Sequence, residues 1–173
     1  FLNQAYWWMS GIGVEQNYQP EQPIAFSHAL HAGENEIDCN YCHSSARHSK
    51  HSGIPSANVC MNCHMYVDGS EITDATGNLK YDGEGSPEIA KIYAAIGWDS
   101  ENREYIEDYE EQPIKWVRIH NLPDLVYFNH SQHVNVGQLE CQECHGPVET
   151  MEEMYQYSEL TMGWCINCHR ETE

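Results

Sequence analysis

Eight cysteines constrain this chain more than any other feature, because all eight stand in four copies of one short pattern. They read CNYCH (Cys39, Cys42, His43), CMNCH (Cys60, Cys63, His64), CQECH (Cys141, Cys144, His145) and CINCH (Cys165, Cys168, His169), with no cysteine left over. Cys-x-x-Cys-His is the attachment signature of c-type haem. The two thiols add across the porphyrin vinyl groups, and the adjacent imidazole reaches the iron from the proximal side. Paired CxxC units also build zinc sites, thioredoxin-like redox pairs and disulfide frameworks. None of these requires His after every second cysteine. With 11 His in 173 residues, four such placements arise by chance on the order of once in a hundred thousand, which promotes the haem reading. Haem c, four per chain, is the expected cofactor.

The rest of the composition agrees. Apolar residues make up 40%, but many are Tyr, Trp, Met and Cys, only three are Phe, and the mean hydropathy is −0.65. A core of side chains alone would be thin. Large apolar macrocycles supply the missing buried surface, so folding and haem attachment should be coupled. The expected fold is mostly irregular with short α-helices, dictated by ligation and with little strand signal. A formal charge of −19 argues against nucleic acid, whose phosphates need Lys and Arg. It suits either a solvated acidic surface or docking on a basic partner, where charge sets encounter rate and orientation.

The chain repeats itself. FSHALH (Phe26 to His31) stands seven residues before Cys39, and FNHSQH (Phe128 to His133) stands seven residues before Cys141. A second CxxCH follows each block, so the sequence reads as two dihaem modules, 23–68 and 114–173. An insert from 69 to 113 separates them. In it SPEIAKIYAAIGW predicts a short helix capped by Ser86, with Pro87 in its first turn and Gly97 at its end. The acidic stretch DSENREYIEDYEE follows. Residues 1–22 form a lead-in whose Tyr6, Trp7 and Trp8 suit either a membrane–water interface or an aromatic cluster packed on the domain. No run reaches the roughly 20 apolar residues of a spanning helix. The opening at Phe1 instead of Met leaves an upstream signal or anchor as an expectation.

Seven histidines remain beyond the proximal four: His28, His31, His48, His51, His120, His130 and His133. A lone His is more often a satisfied surface or core residue than a ligand, but these cluster beside haem motifs. The repeat makes His28, His31, His130 and His133 the favoured sixth ligands. His28 should serve the haem on Cys39 and Cys42, and His130 that on Cys141 and Cys144, while His31 and His133 reach neighbouring haems. One ligand is expected between His48 and His51, and His120 is read as a ligand or as the holder of a propionate or a backbone carbonyl. At the place matching His48 and His51, the second module has Met151 and Met154. This makes Met151 the candidate thioether ligand of the haem on Cys165 and Cys168, which would raise its potential. The alternative is that Met151 packs on a porphyrin face. Irons with two such ligands pass electrons and offer no open coordination position. The competing classes are a multihaem reductase with one open haem and a zinc-binding interaction module.

The stretches PIAFSHALHAGENEIDCNYCHSSARHSKHSGIPSANVCMNCH and WVRIHNLPDLVYFNHSQHV…CQECHGPVETM…LTMGWCINCHR closely resemble the pentahaem cytochrome c subunit of bacterial alternative complex III, a quinol:electron-acceptor oxidoreductase. The resemblance runs from about Pro23 to Arg170, and the F-x-H-x-x-H element is also similar to the cytochrome c3-like multihaem class. It implies a non-catalytic electron-transfer subunit at the periplasmic face of the bacterial inner membrane, beside iron–sulfur and membrane subunits. Electrons would enter from a quinol and leave to a periplasmic cytochrome c or oxidase. The family has five haem motifs where four stand here; a fifth would fall beyond residue 173, or this member differs.

Overall fold

A computed structural model of the chain describes residues 2–122 and 125–171. The side chains of Trp7 and Trp8, which bear the interface expectation, lie outside what is described. The backbone is mostly irregular, with six short α-helices and one two-stranded sheet among the described residues. Helix α1 spans Leu2–Ser10. The cysteine motifs lie on helices or helical turns: α2 (Cys39–Cys42), α3 (Ala57–His64), α5 (Gln142–His145) and α6 (Met162–Glu171). A helical turn brings residues three and four apart onto one face, the geometry a CxxCH motif needs to present both thiols and the imidazole to one side.

The insert contains the best-formed helix, α4 (Pro87–Ile96). Its start and stop are those read from the sequence. Ser86 Oγ accepts from the Glu88 amide at 3.3 Å, Pro87 occupies the first turn, and Gly97 closes the helix at φ +70°. That left-handed conformation suits glycine, and a Cβ there would also run into the Tyr109 ring. Strands β1 (Trp98–Asp99) and β2 (Glu104–Tyr105) pair antiparallel just after it.

The protein core is small and lies under the insert. Ile24, Met61, Ile92, Ala95, Ile96 and Trp98 are buried together, with Cys60, Met65, Tyr93 and Trp116 packed against them. Helix α4 thus presses on α3, which bears the second haem motif. It is stapled there by the Tyr93 hydroxyl, which donates to the carbonyl of His64 at 2.6 Å. The same helix holds the run into the first F-x-H-x-x-H block. The Glu88 carboxylate accepts from the Ala25 amide at 2.7 Å, and Lys91 Nζ donates to Pro23 O at 3.2 Å.

The two F-x-H-x-x-H blocks fold alike. Each ends in a π-helical turn, Ala29–Glu34 and Gln132–Val136. Amides of Asn35 and Gly137 reach Leu30 O (3.1 Å) and Gln132 O (2.8 Å), five residues back, and those of Ile37 and Leu139 reach His31 O and His133 O at 3.0 and 3.1 Å. Every residue pair in this comparison is separated by the same 102 positions as His28 and His130. The two blocks also dock reciprocally. The turn at 29–34 packs on the 3-10 turn Val148–Thr150 after the third haem motif, and the turn at 132–136 packs on the 3-10 turn Ser44–Arg47 after the first. The Ala29 amide donates to Met151 O at 3.0 Å and the Ser131 amide to Ser49 O at 3.1 Å. These partners too are offset by 102, so the contact is a local two-fold within one chain.

Candidate haem-binding site

Each Phe of the repeat fixes two imidazoles. Phe26 meets His28 edge-on at 4.9 Å and stacks on His31 at 4.3 Å, 27° from parallel. Phe128 does the same for His130 (4.9 Å) and His133 (4.4 Å, 25°). The ring nitrogens nearest the backbone are fixed as well. His31 Nδ1 bonds Ser27 O at 2.8 Å, and His133 Nδ1 bonds Asn129 O at 2.9 Å. His130 Nδ1 reaches Lys50 O at 2.9 Å in the other half of the chain. Among the proximal residues, His43 Nδ1 bonds Gly53 O and His64 Nδ1 bonds Val67 O, both at 2.7 Å. A carbonyl is only an acceptor, so each Nδ1 carries a proton, and in the neutral ring the lone pair then stands on Nε2.

Imidazoles from the repeat stand opposite proximal imidazoles. The ring centroids of His31 and His64 are 6.2 Å apart, those of His130 and His145 6.5 Å and within 5° of parallel, and those of His133 and His169 6.0 Å. Two imidazoles bonded to one metal ion from opposite sides through Nε2, at about 2.0 Å each, hold their centroids roughly 6 Å apart. His28 lies in the field of His43 and His31; burial first, then those two neighbours, push its pKa down to about 4. Its Nδ1 is buried without a hydrogen-bond partner among the described residues. These arrangements fit haem iron held between pairs of neutral imidazoles.

The thiols are grouped in the same way. All eight are free, and all but the exposed Cys63 are partly buried. Burial raises the Cys42 thiol, with Cys63 and Cys39 adding to the shift. Burial also raises Cys60, with Cys42 adding, and Cys144, with Cys168 and Cys165 adding. Cys141 is pushed up to about 11 by burial and by the facing Cys39 thiol. The first motif therefore neighbours the second, the third neighbours the fourth, and the first and third meet where the two halves dock.

The remaining candidates lie on the loops after the first and third motifs and in the run before the second repeat. His48 and His51 are exposed on the loop after His43. Met151 is buried, 4% exposed, and its carbonyl takes the Ala29 amide; the imidazole facing His169 belongs to His133. Met154 is half-buried. His120 Nε2 stands 3.1 Å from His145 Nδ1 with the two rings edge to face. Burial, with His130 adding, lowers the His120 pKa to about 4. Burial, then His120, His130, His43 and His28, lowers that of His145 to about 3. The sequence reading missed the carbonyls of Lys50, Gly53 and Val67 and the Tyr93 hydroxyl. Carbonyls leave no side-chain signal to read, and nothing local in the sequence marks the His64 carbonyl as the partner of the Tyr93 hydroxyl.

Comparison with known proteins finds a family likeness for the last part of the chain and one relative over most of it. Residues 126–173 match the family described as cytochrome c7 and related cytochrome c, and covalently bound haem c is the cofactor of this chain. Among individual proteins, the chain is 31% identical over 151 residues to the menaquinone reductase multihaem cytochrome c subunit of Nitratidesulfovibrio vulgaris strain Hildenborough. The match covers 87% of this chain and 52% of that relative, so the chain spans about half its length. No helix among the described residues is long and apolar enough to cross a membrane.

Proposed function

We propose that the chain is an electron-relay subunit that holds four haems in single file, each between two imidazoles. The proposed pairs are His43 with His28, His64 with His31, His145 with His130, and His169 with His133. Haem iron supplies reversible one-electron storage, ferric to ferrous. The protein would anchor each macrocycle through two thiols and offer it two imidazoles, those of His31, His43, His64, His130, His133 and His145 being oriented by Nδ1 bonds, so that no open position remains for a substrate. The observation that carries this reading is the set of opposed ring pairs at 6.0–6.5 Å. Thiol neighbours support the order second, first, third, fourth motif, with the docked halves joining the inner two. This reading gives the haem on Cys165 and Cys168 His133 as its second ligand and leaves Met151 a packing residue.

Within a complex, the subunit would carry electrons between a quinone-linked membrane module and a periplasmic partner, with iron–sulfur and membrane subunits beside it. The alternative complex III reading runs the current from quinol to a periplasmic cytochrome c or oxidase. The name of the Nitratidesulfovibrio relative, a menaquinone reductase subunit, favours the opposite current as a second reading. The test is stopped-flow spectroscopy of the purified, haem-loaded complex. Haem reduction on mixing with a quinol supports the first direction. Oxidation of pre-reduced haems by a quinone, with no reduction by quinol, supports the second. Absence of both reactions contradicts the relay.

A further inference from the structure

Of the Nδ1 bonds described for the proposed iron ligands, five end on peptide carbonyls, those of His31, His43, His64, His130 and His133. His145 differs: its Nδ1 meets an imidazole, His120 Nε2, at 3.1 Å. The geometry assigns the proton. If His145 gives Nε2 to iron, its Nδ1 carries the hydrogen and donates, and His120 Nε2 accepts with its lone pair. An imidazole nitrogen, with a conjugate-acid pKa of about 6.5, is a far stronger base than a peptide carbonyl. Hydrogen bonding to the far nitrogen of a metal-bound His raises the basicity of that ligand, and a more basic axial ligand favours ferric over ferrous iron.

We propose that His120 is a positioning residue which, by accepting from the Nδ1–H of His145, lowers the potential of the haem on Cys141 and Cys144 and makes the two inner haems unequal. The proposal rests on the ligand reading above. The matching proximal site in the first half is built differently. The residue 102 positions before His120 is Tyr18, whose backbone amide and carbonyl bond Glu15 and Gln156, and His43 Nδ1 goes to Gly53 O instead. An inner pair split in this way would rest its electron on the haem of Cys39 and Cys42.

The test uses the haem-loaded chain and two variants, His120→Phe, which keeps a ring and removes the acceptor, and His120→Gln, which restores an acceptor oxygen. In spectroelectrochemical titration, His120→Phe should make one haem about tenfold easier to reduce, about 59 mV for one electron. The electron paramagnetic resonance signal of that haem alone should shift, and His120→Gln should return both part of the way. Unchanged potentials in a low-spin, fully haem-loaded His120→Phe protein would overturn the proposal. Should neither variant fold, the wild type decides. In the ferrous, 15N-His-labelled protein the His145–His120 pair should show nitrogen–nitrogen coupling across the hydrogen bond, and its absence contradicts the assignment. A shortfall in haem or a high-spin wild type would instead refute the ligand reading itself.

Discussion

At the residue scale, small positions decide whether an imidazole can be aimed. Gly146 follows His145 at φ +71° and ψ −164°, a region essentially restricted to glycine, and a Cβ there would run into the Tyr157 ring. Gly146→Ala should therefore cost at least about 1–3 kcal/mol in backbone strain and should loosen the neighbouring haem. Denaturant titration followed in the Soret band will check this, and a variant as stable as wild type would contradict it. Met151 and His133 make a second contrast. Met151→Ala removes a buried side chain and should cost about 2–5 kcal/mol while leaving every haem low-spin. His133→Ala should turn one haem high-spin. The opposite pattern, with ligation lost on Met151→Ala, would return the thioether to the iron.

At the element scale, α4 braces the second haem motif across a core of Ile92, Ala95, Ile96, Met61 and Trp98. Truncating Ile92 to Ala should destabilise the holoprotein by about 2–5 kcal/mol, measured by thermal or denaturant unfolding. Ser86→Ala, which removes the N-cap acceptor, should cost about 1 kcal/mol. A near-neutral Ile92→Ala would mean that the haems alone support this half. Helix α4 was fully legible in the sequence because its stop and start signals are local: Ser-Pro at one end, Gly at the other. The CxxCH turns and the duplicated F-x-H-x-x-H blocks were legible for the same reason. What the sequence hid are contacts across great separations, such as Ala29 with Met151, Ser131 with Ser49, and His120 with His145. Nothing local marks which carbonyl an Nδ1 will find. Reading Met151 and Met154 as the counterparts of His48 and His51 treated the post-motif loops as ligand donors. In the structure both loops offer backbone carbonyls to the opposite half, Ser49 and Lys50 from one and Met151 from the other.

At the scale of the whole molecule, the two F-x-H-x-x-H blocks dock reciprocally through a local two-fold that brings the first and third motifs together, with little side-chain core beyond the insert among the described residues. Its charge of −19 makes long-range attraction to a basic electron partner the expected mode of encounter. The rate of reduction or oxidation by a basic small cytochrome should therefore fall steeply as salt shortens the screening length from about 10 Å at 0.1 M towards about 3 Å at 1 M. A rate independent of salt would remove charge from the docking account. The central claim is that four haems are each held by two imidazoles. Near-infrared magnetic circular dichroism of the oxidised protein, quantified against the haem content per chain, tests it most directly. The account predicts four haems per chain, all low-spin with two imidazoles, and no sulfur-to-iron band. Fewer than four haems, a high-spin component, or a His/Met band in the intact wild-type protein would contradict it.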